Sequence, residues 1–232
     1  MGKDLLAEIF FNYLELIFMV DKMNLLEKNE FLVKHLISAG VLKTPRIIEA
    51  FKKTPRHLFV RKDYLSHAYD DIPLPTYLGQ TISQPYTVAV MTEALNPKPG
   101  EKILELGAGS GYQAAIIGKC VGTKGKVITI ELESSLAEIS SKNVKKVKLK
   151  NVRVILGDGK EGYPKEAPYY KFIITAACDE IPKKVIEQVK TGGRIVAPVN
   201  NFIGQKLIVV DKISETEFKK EDLGSFVFVP LR

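Results

Sequence analysis

An acidic side chain followed by closely spaced glycines is the strongest chemical signal in this sequence. Glycines alternate with other residues directly after Glu105 and Leu106, at Gly107, Gly109 and Gly111. An apolar run precedes them and a helix-forming run follows, so the pattern predicts a strand, a tight turn and a helix. Glycine permits positive φ and lets the backbone lie flat against a ligand. The first turn of a helix offers unpaired N–H groups, so the turn is predicted to bind a polar ligand.

The spacing and the acid indicate the charge of that ligand. Dinucleotide-binding turns read G-x-G-x-x-G, whereas the third glycine comes one residue earlier here. The carboxylate of Glu105 would repel a pyrophosphate but attract an amino group or a sulfonium. This combination resembles motif I of class I methyltransferases, which bind S-adenosyl-L-methionine. The resemblance assigns a group of residues to the cofactor: Glu105, Leu106, Gly107, Gly109 and Gly111.

Two further acids follow the next two predicted strands. Glu131 comes directly after the strand Lys126–Ile130, and Asp158 lies between two glycines after the strand Val152–Leu156. Ligands of open α/β sheets bind at the carboxyl ends of the strands. In a methyltransferase Glu131 would accept hydrogen bonds from the ribose hydroxyls, while Asp158 and Gly159 would bind the adenine. The alternatives are an acid near a helix start for Glu131 and a simple Asx turn for Asp158.

The loop before the glycine turn indicates which methyltransferase this is. Residues 78–86 read L-G-Q-T-I-S-Q-P-Y, and G-Q-T-I-S-Q-P closely resembles the signature of protein-L-isoaspartate O-methyltransferases. The resemblance runs from about Met23 to Leu231. Further segments agree with that family in the same order along the chain: Asp71–Pro75, Gly157–Gly159, Gly162–Tyr163, Ala167–Tyr169, Ile173–Ala177, Ile181–Pro182, Gly192–Arg194, Ala197–Val199 and Phe228–Leu231.

This resemblance implies a protein repair reaction. Enzymes of the family methylate the free α-carboxylate of isoaspartyl residues in damaged peptides and proteins, and S-adenosyl-L-homocysteine is the product of the donor. The methyl ester then closes to a succinimide, which opens partly to normal aspartate. A carboxylate is already ionised at pH 7, so the reaction needs alignment rather than a strong base. No metal is implied, and the three histidines do not cluster.

The resemblance also assigns roles to single residues. Ser83 is the expected catalytic residue, because in the family this position hydrogen-bonds the substrate carboxylate. Gln80 and Thr81 join the cofactor site. The alternative for Ser83 is a serine that only stabilises the turn. The expected substrate site consists of Thr81, Ile82, Ser83, Val229 and Leu231.

Two other functions compete with this interpretation. The first is an RNA or small-molecule methyltransferase on the same scaffold, which the formal charge of +7 would favour for RNA. The N-P-P-Y tetrad used against exocyclic amines is missing, since Ala176–Asp179 follows the strand Phe172–Thr175. The second is a binding module without chemistry, and the complete set of acids at the strand ends argues against it.

Alternating strands and helices predict the scaffold. Such alternation indicates an α/β, Rossmann-like class I methyltransferase fold, with helices on both faces of a mostly parallel sheet. The apolar runs Leu207–Val210 and Phe226–Val229 predict a C-terminal antiparallel hairpin. The other predicted strands are Lys102–Leu106, Lys126–Ile130, Val152–Leu156, Phe172–Thr175 and Arg194–Pro198. The predicted helices are Glu27–Gly40, Thr44–Lys53, Thr87–Leu95, Gln113–Lys119, Ser134–Val147 and Pro182–Val189, with an ordered loop at Asp70–Gln84.

Composition places the protein among ordinary globular proteins of a reducing compartment. Its 232 residues can form one core, with 45% apolar and 26% charged residues. The lysines of residues 142–150 suit the solvated face of a helix better than a nucleic-acid surface, since no aromatic residues alternate with them. Cys120 and Cys178 are predicted to be free thiols in a reducing cytoplasm, and Cys178 to be a small buried residue. Isoaspartyl peptides and proteins are the expected partners, with no specific nucleic acid and no membrane.

The first 22 residues stand apart from the rest. The run Leu5–Val20 is strongly apolar, but polar residues interrupt it at helical spacing, so it is too polar to cross a bilayer. Its apolar side chains would occupy more than one face of a helix, and a second subunit could cover what the body leaves exposed. We therefore expect residues 1–22 to be a helical extension that mediates homo-oligomerisation. Residues 23–232 are the expected methyltransferase domain, with a cofactor-binding core at about 99–200.

Overall fold

The computed structural model describes residues 23–231 of the chain. The predicted oligomerisation helix lies outside these residues. The described part begins with two helices, α1 (Leu25–Ser38) and α2 (Pro45–Lys52), followed by short 3₁₀ turns at Arg56–Leu58 and Lys62–His67.

Both helices start with residue types that are typical of helix N-termini. Asn24 caps α1 through a capping box with Glu27. Thr44 occupies the N-cap position of α2, with Pro45 as the first helical residue. The Thr44 side chain does not cap the helix, however, because its hydroxyl donates instead to Glu93 over 2.7 Å. The N-terminal helices are thereby tied to the next helix along the chain.

The predicted ordered loop at residues 70–84 contains a small sheet of its own. Strands β1 (Leu74–Pro75) and β2 (Thr81–Ile82) pair antiparallel. Helix α3 (Pro85–Leu95) follows directly. It begins two residues before the predicted start, because proline is tolerated in the first turn of a helix.

The main sheet has seven strands in the order β5-β4-β3-β6-β7-β8-β9. Strands β3 to β7 run parallel, while β8 and β9 are antiparallel to their neighbours. This confirms the predicted class I methyltransferase fold. The strands are β3 (Lys102–Leu106), β4 (Lys126–Glu131), β5 (Val152–Leu156), β6 (Tyr169–Ile174), β7 (Val189–Asn201), β8 (Gly204–Lys212) and β9 (Phe218–Phe226), and the helices between them are α4 (Tyr112–Val121), α5 (Ser134–Lys146) and α6 (Lys183–Gln188).

Alternate residues of the central strands pack on opposite faces of the sheet. On β3, Ile103 joins a buried cluster with Met91 and Ile117, whereas Leu104 joins a second cluster with Phe172. Side chains of a strand point alternately to its two faces, so helices cover both sides as predicted. None of the helices within residues 23–231 combines the length and apolar character that crossing a membrane requires.

The predicted position of the last strand was wrong. The strand is β9, which covers Phe218–Phe226, and residues 227–229 are not part of it. Charged residues at 219–222 make β9 look like a loop in the sequence, yet charges are common on strands at the edge of a sheet. The apolar residues that follow turn back over the sheet instead. There the Ala177 N–H donates to Val229 O over 2.8 Å, and the Leu231 N–H donates to Ala177 O over 2.7 Å.

Candidate active site

A cavity at the carboxyl ends of β3, β4 and β6 brings together most of the predicted site residues. Eleven of them line it: Gln80, Thr81, Ile82, Ser83, Glu105, Gly107, Gly109, Glu131, Gly159, Val229 and Leu231. The structure places three others, Leu106, Gly111 and Asp158, outside the lining. The chain therefore folds so that the Ser83 loop faces the glycine turn.

Glu105 is a fully buried carboxylate at the end of β3. Neither of its oxygens makes a hydrogen bond of ordinary geometry with the described residues. Burial raises the pKa of Glu105 to about 8, the Thr129 hydroxyl opposes this rise, and the Glu131 carboxylate adds to it. A buried carboxylate without a partner is costly. A cationic ligand in the cavity would supply the missing partner, so the site fits the predicted amino or sulfonium group.

Glu131 ties the end of β4 to the glycine turn. Its Oε2 accepts a hydrogen bond of 2.8 Å from the Gly109 N–H, and its Oε1 accepts one of 3.1 Å from the Glu133 N–H. Each carboxylate oxygen can accept more than one hydrogen bond. Glu131 therefore holds the turn in place and still has acceptor capacity facing the cavity.

The three glycines of the turn serve different purposes. Gly107 and Gly109 both have positive φ and line the cavity. A Cβ at Gly107 would lie 2.6 Å from the Thr175 hydroxyl, whereas one at Gly109 would meet open space. Gly111 starts α4 at φ 86°, and a Cβ there would lie 2.8 Å from the Ser140 hydroxyl of α5. The structure thus gives Gly111 a role in helix packing.

Asp158 is exposed at the end of β5. Its Oδ1 accepts a hydrogen bond of 2.9 Å from the Lys160 N–H and caps a short 3₁₀ turn. This is the geometry of an Asx turn, which is the alternative that the sequence offers for Asp158. The adenine role of Asp158 stays a prediction. Leu132, which sequence reasoning missed, does line the cavity and is 45% exposed. The one feature of the sequence that could have identified Leu132 as a site residue is its position directly after Glu131.

The Ser83 side chain lies where the cavity opens into a second groove. The serine is half-buried, and its hydroxyl makes no hydrogen bond with another group of residues 23–231. Thr81 on β2 and Val229 on the returning segment line both spaces. The hydroxyl is thus free to hydrogen-bond a ligand.

Arg56 is a second residue that sequence reasoning missed. Its guanidinium is fully buried and donates to three backbone carbonyls, those of Ala68 at 2.8 Å, Ile72 at 3.0 Å and Ser83 at 3.1 Å. No described carboxylate lies within ion-pair distance of it. Burial lowers the pKa of Arg56, and Tyr112 and Asp71 oppose this shift, yet an arginine stays charged in proteins. A buried cation therefore stands directly behind the Ser83 loop.

The two cysteines match their predicted character. Cys120 and Cys178 are both free and buried. Burial raises the pKa of Cys178 to about 11 and that of Cys120 to about 12. A thiol with a raised pKa carries little thiolate at neutral pH and is a poor nucleophile. Cys178 is therefore a packing residue beside the returning segment.

Comparison with known proteins shows the family. A family model described as "Protein-L-isoaspartate(D-aspartate) O-methyltransferase (PCMT)" matches residues 27–232. A protein-L-isoaspartate O-methyltransferase of Methanopyrus kandleri is 45% identical over 203 residues, which cover 87% of this chain and 90% of the relative. A protein-L-isoaspartate O-methyltransferase 2 of Archaeoglobus fulgidus is 48% identical over 206 residues, or 89% of this chain and 93% of the relative.

Solved structures agree with these relatives. One protein-L-isoaspartate O-methyltransferase is 32% identical with a TM-score of 0.80, covering 87% of this chain. The match spans 65% of that longer chain. A Plasmodium falciparum protein, assigned as a protein-L-isoaspartate O-methyltransferase and solved with S-adenosyl-L-homocysteine, shares the fold at 21% identity with a TM-score of 0.79. That match covers 88% of this chain and 98% of the other.

Proposed function

This chain belongs to the protein-L-isoaspartate(D-aspartate) O-methyltransferase family, and from its cavity we infer how it transfers a methyl group from S-adenosyl-L-methionine to L-isoaspartyl residues of damaged proteins. The reaction repairs protein. The observation that carries the mechanism is one cavity with an unpaired buried carboxylate, Glu105, and an unpaired hydroxyl, Ser83. The first suits a cationic methyl donor, and the second suits an anionic acceptor.

The donor is held by the strand ends in this proposal. When bound, S-adenosyl-L-methionine supplies an electrophilic methyl group on a positively charged sulfur. Glu105 receives the positive charge of its amino-acid part, and Glu131 accepts hydrogen bonds from the ribose hydroxyls. Asp158 and Gly159 would bind the adenine, and Leu132, which lines the cavity, would add an apolar contact to it. A charge-assisted hydrogen bond contributes about 1.5–3 kcal/mol, so the acids dominate donor affinity.

The acceptor is oriented by the loop that carries Ser83. Its hydroxyl donates a hydrogen bond to the substrate α-carboxylate, while Thr81 and Ile82 shape the loop around it. Val229 and Leu231 supply an apolar wall that excludes water. The transfer joins a carboxylate oxygen to the methyl carbon and leaves a neutral thioether, so no proton moves. Alignment within the cavity replaces acid–base catalysis.

The negative charge in the cavity gives a reason for the buried guanidinium of Arg56 behind the Ser83 loop. An incoming carboxylate approaches a cavity that already holds the Glu131 carboxylate, and like charges repel at short range. The buried guanidinium of Arg56, bonded to the Ser83 carbonyl, opposes this repulsion from behind the loop. We infer that Arg56 positions Ser83 and attracts the substrate carboxylate.

One assay tests the activity against its alternative. Tritiated methyl transfer from S-adenosyl-L-methionine is measured with an isoaspartyl peptide, the identical aspartyl peptide and bulk tRNA. We expect label only in the isoaspartyl peptide, and release of that label at alkaline pH, because a methyl ester hydrolyses there. Stable label in tRNA would favour the RNA alternative, which family membership does not favour. Equal label in both peptides would show that the enzyme does not distinguish isoaspartyl residues and would contradict the proposed specificity.

The assembly and location of the protein complete the proposal. We propose that residues 1–22, which lie outside the described residues, are an extension that mediates homo-oligomerisation. Residues 23–232 would be the methyltransferase domain, with its cofactor core at about 99–200. Two buried free thiols are compatible with a reducing cytoplasm. Neither a nucleic acid nor a membrane is part of the proposed function.

A further inference from the structure

A second cavity adjoins the glycine turn, and we call it the Thr76 cavity. Gly109 and Ser110 line it as well as the cavity of the proposed donor site, so the two spaces share this turn as a wall. Its volume is about 370 Å³, within the range of roughly 300–1,000 Å³ that is usual for ligand sites. The described residues that line it include none of those assigned to the substrate.

Two buried hydroxyl groups in the lining have hydrogens without an acceptor. Thr76 is 7% exposed, and its hydroxyl has no partner among the described residues. Ser110 is 6% exposed, and its oxygen accepts from the Tyr112 N–H at 3.3 Å, while its hydrogen is not engaged within residues 23–231. Burying a hydroxyl without a partner is costly. Two such groups in one cavity indicate a ligand that supplies acceptor oxygens.

The charged side chains of the lining favour an anion. Asp63 is the one described carboxylate among them, and it pairs with Arg61 at 2.7 Å. Lys62 and Lys146 also line the cavity and are exposed. The Lys146 ammonium donates to a backbone carbonyl at 3.1 Å and to Asn143 Oδ1 at 2.7 Å, which leaves one of its three donors for a ligand. The charges of the two lysines thus remain unbalanced within the lining.

The rest of the lining is apolar or aromatic. Phe59 and Leu136 are buried, Ile139 is half-buried, and the Tyr77 side chain is 46% exposed. An inorganic anion alone would leave these surfaces facing water, whereas an aromatic or apolar body would cover them. The lining therefore suits a ligand that joins an oxyanion to such a body.

We propose that the Thr76 cavity binds a small molecule that carries a phosphate group on an aromatic or apolar body, at a site separate from those of the methyl donor and the substrate. Thr76, Ser110 and the two lysines donate hydrogen bonds to the phosphate oxygens, and such bonds to an ionised acceptor are stronger than neutral ones. Phe59 and Tyr77 contact the body. This site goes beyond the proposed function, because no step of methyl transfer uses it.

Calorimetry with phenyl phosphate, inorganic phosphate and phenol as probes tests the proposal. The protein is first saturated with S-adenosyl-L-homocysteine, so that the donor site is occupied before a probe is added. Phenyl phosphate should bind at one site per chain. Inorganic phosphate should bind about fivefold or more weakly than phenyl phosphate, because it leaves the apolar walls uncovered, and phenol should give no measurable binding.

Three variants locate the probe. Thr76→Val replaces the unpartnered hydroxyl by a methyl group, so it should weaken phenyl phosphate binding about tenfold or more without lowering stability to denaturant. Lys146→Gln should weaken binding about threefold or more. Lys142→Gln is the matched control on the same helix, because Lys142 pairs with Glu138 at 2.6 Å and does not line the cavity. Its affinity for the probe should equal that of wild type.

Three results would overturn the inference. The first is that the protein does not bind millimolar phenyl phosphate. The second is equal affinity in Thr76→Val and wild type, which would place the probe elsewhere on the basic surface. The third is that inorganic phosphate binds as tightly as phenyl phosphate, which would remove the apolar body. If the protein does not bind S-adenosyl-L-homocysteine, the proposed donor site fails separately, and the same titrations of the unloaded protein and its variants still test the Thr76 cavity.

Discussion

Nη2 of Arg56 donates a hydrogen bond of 3.1 Å to the carbonyl oxygen of Ser83. The same guanidinium holds the carbonyls of Ala68 and Ile72, so one side chain fixes three points of the chain around the proposed catalytic residue. Burying a cation is costly unless its donors are satisfied. The two terminal amino groups of Arg56 meet this requirement on the three carbonyls, whereas its Nε has no partner among the described residues. A shift of the Ser83 loop would therefore cost one of these hydrogen bonds.

The first prediction concerns this contact. Arg56→Lys keeps the charge but loses the planar set of donors, so Ser83 should lose its fixed position. We expect kcat on an isoaspartyl peptide to fall by about tenfold or more, with donor affinity by calorimetry within about twofold of wild type. Arg61→Lys is the control, because Arg61 binds Thr76 O and Asp63 instead. Equal changes in kcat and donor affinity, or no change, would contradict a positioning role.

The second prediction concerns Ser83 itself. Ser83→Ala removes the unpaired hydroxyl without disturbing any hydrogen bond of the described chain. Donor binding should remain near wild type, while kcat on the isoaspartyl peptide should fall by about tenfold or more. Ser66→Ala, at an exposed serine of the Lys62–His67 turn, serves as control. Wild-type kcat in Ser83→Ala would mean that the serine only stabilises its turn.

The third prediction separates the two acids at the ends of β4 and β5. Glu131→Ala should weaken donor binding at least about tenfold, because it removes charge-assisted acceptors and frees the Gly109 N–H. Asp158→Ala should weaken binding by a smaller factor, since Asp158 is exposed and caps its own turn. Calorimetry on both variants checks this order. Unchanged affinity in Glu131→Ala would remove that residue from the donor site.

The fourth prediction is a pH dependence of stability that depends on Glu105. Its pKa is about 8 in the folded, ligand-free protein, against an ordinary value of 4.5. Between these values the folded state retains a proton that the unfolded state releases. The free energy of unfolding should therefore fall as pH rises from about 4.5 to about 8, by up to about 1.4 kcal/mol per pH unit.

The Glu105→Gln variant isolates this effect, because the contributions of titrating groups that do not interact with Glu105 cancel in the difference from wild type. Denaturant unfolding of both ligand-free proteins at pH 5, 6, 7 and 8 gives the difference directly. The variant should gain stability relative to wild type with each step upward. Parallel pH profiles would show that Glu105 is not protonated in the folded protein.

The fifth prediction concerns the segment outside the described residues. Deleting residues 1–22 should reduce the mass measured by light scattering while methyl transfer at moderate temperature is retained. The physical reason is that the sequence of this segment predicts a helix with apolar side chains on more than one face, while the segment supplies none of the proposed site residues. An unchanged oligomer, or a monomeric full-length protein, would contradict the proposal.

Sequence reasoning found the parts of this site that depend on local patterns. The strand, glycine turn and helix around Gly107 are encoded by adjacent residues, and Glu131 follows from the strand that precedes it. Ligands of open α/β sheets bind at the carboxyl ends of the strands. A residue that directly follows a predicted strand is therefore expected to lie at the ligand site. These relations depend on residues that are neighbours in the sequence and not on contacts with distant parts of the chain.

The features that sequence reasoning missed depend on distant contacts. Arg56 reads as an ordinary charged residue, and only the fold shows that it is buried on carbonyls 12 to 27 residues away. The bond from Thr44 to Glu93 is equally non-local. The last strand was predicted in the wrong place because the charged residues of β9 look like a loop in the sequence, although charges are common on strands at the edge of a sheet. In each case tertiary position overrides the local signal.

The wall formed by Val229 and Leu231 also constrains when activity can arise during synthesis. These residues are held in place through Ala177, while the cavity begins at Gln80 on the opposite wall. A nascent chain on the ribosome therefore lacks one wall of the proposed substrate site until Leu231 has left the exit tunnel. The enzyme can begin to repair other proteins only after its own translation has passed that residue.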